Sequence, residues 1–278
     1  MISIQETLRD MFRRRIPGED EHINERDGMI YCNLCNTPRE RVLSLRSGET
    51  FRVPSMCACL RERAKADERE RESQRKAGVV DRLKHNGLPS RVMLQYTFEN
   101  DKGYNPEIAH ARKYVDQFED MASRGKGLLL WGNVGTGKTF IAACIANALM
   151  EREIPVLMTN FSRIMNTMLG MGGAERNEYL DSLNRYRLLV IDDLGIERNS
   201  SYALEQVYNI IDSRCQNEKP MVITTNLTVD EMKEDDDLAH ARIYDRILGC
   251  CYPVMVNNTM IRKKNAADDY VEAKRLFG

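Results

Sequence analysis

The 278-residue chain carries 41 basic and 42 acidic side chains, so no overall field draws it to nucleic acid or to an anionic membrane, and any such contact must be local. Its 42% hydrophobic content supports a core for one large domain, or for a main domain with a smaller partner. The opening MISIQETLRDMFRRRIPGED has charges throughout and no apolar h-region, and no run of eighteen apolar residues follows; this reads as a cytoplasmic protein with no membrane segment.

In chain order, Ile4, Leu8, Met11 and Phe12 recur at helical spacing beside Arg9, Arg13, Arg14 and Arg15, a helix that either docks on a partner or packs on the core. Cys32 and Cys35, then after twenty-one residues Cys57 and Cys59, supply four thiolates, the number that closes a tetrahedral structural zinc site. A small first domain over residues 1–60 needs such a staple. His22 can replace one ligand, and buried or redox-active thiols are the alternative. Cys144, Cys215, Cys250 and Cys251 lack spacing partners and read as core thiols. Residues 61–94 form a linker whose first part, LRERAKADERERESQRKA from residue 60, is dense in both charge signs and reads as an exposed helix or connector.

The main domain is expected over residues 95–278, with Ile108, Ala111, Tyr114, Val115 and Phe118 on one helix leading into the strand GLLLW. Gly132, Asn133, Val134, Gly135, Thr136, Gly137, Lys138 and Thr139 then fit G-x-x-x-x-G-K-[ST]. Glycines there let consecutive N–H groups turn toward one anion, and a helix starting near Lys138 adds its positive end. Lys138 would reach the β- and γ-phosphates of ATP, and the Thr139 hydroxyl would be one ligand of Mg²⁺. Further apolar runs at IPVLMT, RLLVID and PMVITTN alternate with helical stretches such as YALEQVYNIIDSRCQ, which implies a parallel sheet covered on both faces.

The run RLLVIDDLG delivers Asp192 at a strand end, where Mg²⁺ would sit, and Asp193 faces the γ-phosphate. Many ATPases of this architecture carry Glu at the second position; Asp is shorter by one methylene. PMVITTN ends in Thr225 and Asn226, whose amide can hold the lytic water or touch the γ-phosphate.

Together GNVGTGKT, LLVIDDLG, VITTN and the downstream ARIYDRI resemble the AAA+ ATPases of the DnaC-type helicase-loader family, with IstB-type transposition helpers as kin, over residues 95–256. The resemblance implies an α/β AAA+ P-loop fold, a parallel sheet flanked by helices, without the usual C-terminal helical lid, since only some twenty residues follow CYPVMV. It also implies that Asn226 is the sensor-1 residue and that Arg242 and Arg246 include an arginine finger acting across a self-associated assembly. Two arginines at i and i+4 lie on one helix face, in agreement. A zinc-binding N-terminal domain that engages the replicative helicase is similar to that of loaders from Gram-positive bacteria and their phages.

The implied partners are a hexameric replicative helicase of the DnaB type and single-stranded DNA. For DNA the local candidates are Phe161 and Arg163 in NFSRIMNTM, with core packing of Phe161 the competing and favoured reading. Competing functions are an IstB-like transposition helper, a nucleotide-gated module with little hydrolysis, and a small-molecule P-loop kinase. The cysteine cluster speaks against the first, and no arginine-rich substrate lid is evident for the last.

Overall fold

The computed structural model describes residues 16–257 other than 47, 104 and 196–200, together with 270 and 274–277. The amphipathic segment bearing Ile4 to Arg15 lies outside the described residues, as do residues 258–269 beyond the last strand. The chain divides into two compact units, one up to Lys76 and one from Ala77.

The first unit holds two antiparallel hairpins. One pairs β1 (Glu21–Ile23) with β2 (Ile30–Cys32), the other β3 (Glu40–Ser44) with β4 (Thr50–Pro54). Among the described residues its buried apolar side chains are few, Ile30, Cys32, Val53 and Cys57, so their burial alone supplies little stability. Polar groups are tied down instead: the fully buried Glu21 side chain accepts from Arg39 at 2.9 Å, and Glu40 accepts from the Ile30 N–H at 2.9 Å. Helix α1 (Ala58–Gly87) resolves the charged stretch after residue 60 as helix, with most of its surface exposed.

The second unit is a parallel α/β domain. Strands β5 (Gly127–Trp131), β6 (Val156–Thr159), β7 (Leu188–Leu194), β8 (Met221–Thr225) and β9 (Cys251–Met255) pair in the order β6-β7-β8-β5-β9, every pairing parallel. Alternation sends Leu128, Leu130, Val190 and Val222 to one face and Leu129, Leu189, Ile191 and Ile223 to the other. Both faces are covered, which accounts for the near-continuous apolar runs.

On the first face lie α2 (Ile108–Asp116), α3 (Phe118–Ser123) and α4 (Lys138–Glu151). The helix expected around Ile108 to Phe118 breaks at Gln117 into α2 and α3, with Ala111, Tyr114, Val115 and Phe118 buried as the spacing requires. Helix α4 is buried nearly all round by Ile141, Ala142, Ala143, Cys144, Ile145 and Ala146. Its buried Asn147 donates to the carbonyls of Met93 and Tyr96 at 2.8 and 3.0 Å, anchoring the 3-10 turn Arg91–Gln95.

On the second face lie α5 (Phe161–Met168), α6 (Gly173–Leu183), α7 (Ser201–Gln216), α8 (Val229–Lys233) and α9 (Leu238–Cys250). CYPVM, unassigned from sequence, is the edge strand β9, where Pro253 lacks an N–H that an edge does not need. Among the described residues no helix is long and apolar enough to cross a membrane.

Candidate functional site

The glycine-rich loop begins where β5 ends. Gly132 has φ 142°, and a Cβ there would lie 2.4 Å from the Val256 carbonyl oxygen, so only glycine lets the loop leave the sheet at this point. Gly137, at φ 97°, caps the start of α4, a left-handed position that turns the loop into the helix. The buried Asn105 donates to the Thr136 carbonyl at 3.0 Å and steadies the loop from outside it. Val134 projects at the exposed apex.

Lys138, the first residue of α4, is buried. Its ammonium donates to the carbonyls of Gly132 and Asn133 and to Asn226 Oδ1, each at 2.8 Å. The cation of the loop and the amide after β8 thus meet at one point, although they stand 88 residues apart.

A bulge between Ile191 and Leu194 interrupts the β7–β8 register and sets the two acidic residues apart. Asp192 accepts from Thr139 Oγ1 at 3.0 and 3.2 Å and from Thr224 Oγ1 at 2.7 Å. The Asp193 N–H donates to Thr224 Oγ1 at 2.9 Å, and its side chain is exposed. Asp193 has φ 57°, in the left-handed region, where aspartate is among the side chains most often tolerated. The backbone itself therefore favours the shorter acid there.

Burial pushes the Asp192 carboxyl up from its ordinary range, opposed by the hydroxyls of Thr224 and Thr139. Thr139 and Asp192 offer the hard oxygen donors that Mg²⁺ takes, side by side at the mouth of the loop. Protonation removes the carboxylate's charge, so Mg²⁺ affinity should weaken on acidification from a pH above the usual aspartate value near about 3.9. Isothermal titration of Mg²⁺ with the ATP-bound wild type and Asp192→Asn from pH 7 down to pH 4 checks this, the variant carrying the part of the decline that the phosphates of ATP cause. Wild type and variant that decline in parallel over this range contradict it.

Helix α9 starts at Asp237, whose carboxylate accepts from the N–H groups of Ala239 and His240 at 2.8 and 3.1 Å. Its two arginines face α7. The Arg242 guanidinium lies 4.6 Å from the Tyr208 ring centroid, and Arg246 Nε lies 2.9 Å from Asp212 Oδ1. Phe161 is buried in the core beneath the sheet, so its ring cannot stack a base, while Arg163 is exposed and reaches the Pro89 carbonyl at 3.4 Å. Of the four cysteines expected to be lone core thiols, Cys144 and Cys251 are buried. Cys215 and Cys250 are instead bonded to each other across α7 and α9, a pairing that 35 residues of separation hid.

In the first unit Cys32, Cys35, Cys57 and Cys59 place their sulfurs within 4.8 Å of one another. Cys32 and Cys59 are 3.6 Å apart and Cys57 and Cys59 3.3 Å, near the roughly 3.8 Å that sulfurs at 2.3 Å from a tetrahedral zinc require. His22 bonds Asn33 Oδ1 through Nδ1 at 2.8 Å and stands outside this group. The Thr37 hydroxyl, 3.0 Å from Cys35, holds that thiol down at about 5, whereas the adjoining Cys57 pushes Cys59 up to about 12. Four sulfurs this close cannot all ionise without a cation among them, and the donor set fits zinc. Around it Arg39 donates to Cys32 at 3.5 Å, and Thr37 accepts from the Ala58 N–H at the start of α1.

The profile of the family described as IstB-like ATP binding protein matches residues 57–268. The chain belongs to this family. It is 31% identical over 183 residues to the replicative helicase loader DnaC of Escherichia coli strain K12, an alignment covering 63% of this chain and 72% of DnaC. The replicative helicase loader DnaI of Bacillus subtilis strain 168 is 29% identical over 161 residues, 53% of this chain and 51% of DnaI. A crystal structure of DnaI aligns with a TM-score of 0.52 at 25% identity, over 63% of this chain and 94% of that one. The fold is that of AAA+ P-loop proteins, as the resemblance of the motifs implied.

Asn105 and Thr224 join the candidate site through bonds to the Thr136 carbonyl and to Asp192, and the sequence did not single them out. Asn105 in YNPEIAH had no motif to mark it, because it acts on the loop from 31 residues upstream. Thr224 was hidden inside the strand run VITTN, although a polar side chain buried in an otherwise apolar strand is a usable signal.

Proposed function

We propose that this chain is an ATP-dependent loader of a hexameric replicative DNA helicase onto DNA, hydrolysing ATP to ADP and phosphate slowly when alone and at a rate that the helicase or single-stranded DNA changes. The observation that carries this reading is the alignment with DnaC over 183 residues, a length of chain that takes in most of an AAA+ domain. The joined Lys138, Asn226, Thr139 and Asp192 support it.

In this reading the N–H groups of the Gly132 to Gly137 loop receive the phosphates, and Lys138 turns its ammonium from the loop carbonyls to the β- and γ-phosphates. Thr139 and Asp192 would hold Mg²⁺, whose charge offsets that developing on the phosphate oxygens. Asp193 orients the attacking water, Asn226 holds that water or the γ-phosphate, and Arg246, with Arg242 as the alternative, acts on the nucleotide of a neighbouring subunit. The first unit, with zinc on its four cysteines, docks on the helicase.

Lys138→Ala is expected to weaken ATP binding by about tenfold or more, since it removes a charge-assisted contact of about 1.5–3 kcal/mol, while Asp192→Asn keeps nucleotide affinity and loses Mg²⁺-dependent turnover. Binding of a fluorescent ATP analogue and phosphate release check both, and wild-type values in either variant contradict the assignment. Co-purification tests the function itself. With ATP and Mg²⁺ the chain should elute with a hexameric replicative helicase. Elution with a DNA transposase and not with the helicase would favour instead the transposition reading, which the family profile and a 25% identical IS21-like putative ATP-binding protein of Bacteroides fragilis keep in view.

A further inference from the structure

Helices α7 and α9 meet along three rungs. Tyr208, Asp212 and Cys215 follow one another on α7 at spacings of four and three, and Arg242, Arg246 and Cys250 on α9 at four and four, so each set shares one helix face. The rungs are Arg242 over the Tyr208 ring, Arg246 on Asp212, and Cys215 bonded to Cys250 with Cα atoms 6.1 Å apart. That separation lies in the range that a disulfide spans without moving the backbone.

Both cysteines are half-buried, which leaves them within reach of a small reagent. In the bonded state the Cys215 sulfur lies 3.6 Å from the Arg246 carbonyl oxygen, an acceptor at hand for its thiol once the bond is reduced. The other thiols of this unit differ. Cys144 and Cys251 are buried, burial pushes both thiols up, Cys251 to about 12, and Cys251 points to the Met221 carbonyl within the sheet.

We propose that Cys215 and Cys250 form a thiol–disulfide modification site that takes a small-molecule disulfide as co-reactant, and that the bond holds Arg246 on Asp212 and away from a neighbouring subunit's nucleotide. The second part rests on the role given to Arg246 above. One thiolate, drawn here as Cys215, attacks a sulfur of the disulfide RSSR, forming a mixed disulfide and releasing RS⁻, which takes up the proton. Cys250, losing its proton, then attacks the Cys215 sulfur and expels the second RS⁻, which is protonated in turn. Two protein thiols become one disulfide by losing two electrons and two protons, and RSSR becomes two RSH. In the reduced chain, local opening of α9 separates Arg246 from Asp212; a covalent tie one helical turn beyond Arg246 removes that route.

The test treats the purified full chain with oxidised glutathione, alkylates the free thiols and maps the peptides by mass spectrometry. The expected map links Cys215 to Cys250, reverses with dithiothreitol, and shows Cys144 and Cys251 alkylated only after denaturation. Free Cys215 and Cys250, or Cys250 linked to Cys251, overturns the site. Hydrolysis in the presence of the helicase is read on the same samples: oxidised wild type should be slower by about threefold or more at unchanged ATP affinity. Oxidised Cys215→Ser, which carries the same zinc cluster, should keep the reduced rate. Equal rates in oxidised and reduced wild type overturn the hold on Arg246. A reduced chain that hydrolyses no ATP under any condition defeats the functional reading and with it that hold, while the peptide map still decides the site.

Discussion

Arg246→Ala is expected to bind ATP with near-normal affinity and to lose hydrolysis under assembling conditions by about a thousandfold or more, the usual contribution of an arginine acting in trans on a transferred phosphoryl group. The substitution removes a half-exposed guanidinium from the largely buried Asp212 carboxylate and from Tyr208, a loss of about 1–3 kcal/mol against a domain stability of about 5–15 kcal/mol, so the fold should persist. Arg246 belongs to α9 and its partner Asp212 to α7, whereas the loop, Asp192 and Asn226 sit at the ends of β5, β7 and β8. A mixing experiment separates action between subunits from action within one. A Lys138→Ala subunit still presents Arg246, and an Arg246→Ala subunit still binds ATP, so mixed assemblies should recover part of the activity. If such assemblies form and remain as inactive as their components, Arg246 acts within its own chain, or Arg242 is the finger.

The second large effect concerns the first unit. Its few buried apolar residues among those described, Ile30 and Val53 included, supply far less than an ordered domain of this size needs. A structural zinc held by four thiolates contributes about 10–16 kcal/mol of binding free energy that is also folding free energy. The purified chain should therefore carry about one zinc, and Cys57→Ser or exhaustive chelation should unfold residues up to Lys76 and abolish helicase binding while ATP binding by the second unit stays intact. Elemental analysis, limited proteolysis and nucleotide titration check the three parts. A metal-free chain that resists proteolysis in this region contradicts the account.

What the sequence made legible follows the range of the interactions involved. The glycine loop, the strand ending at Asp192 and the strand ending before Asn226 are written in local patterns, and the structure joins them through Lys138 and Thr139. The cysteine cluster was readable because its spacings are short. Less legible were features set by tertiary approach. The positive φ of Asp193 arises from a bulge opposite β8, and no residue count discloses it. Cys215 looked solitary because its partner lies on another helix, and Asn105 bonds the loop backbone from far along the chain. The edge strand β9 escaped notice because Pro253 breaks its strand signature. Core packing of Phe161, the reading favoured over base stacking, holds: the residue follows the Asn160 cap of α5 directly and turns inward with the first turn of the helix.

The measurement that bears most directly on the central claim is helicase loading itself. A hexameric replicative helicase is incubated with circular single-stranded DNA, which has no end to thread, and DNA-bound helicase is separated by gel filtration. Loading should require this chain together with ATP and should fail with the Lys138→Ala variant. Equal amounts of helicase on the circle with the wild-type chain, with Lys138→Ala and with no added chain would contradict the account.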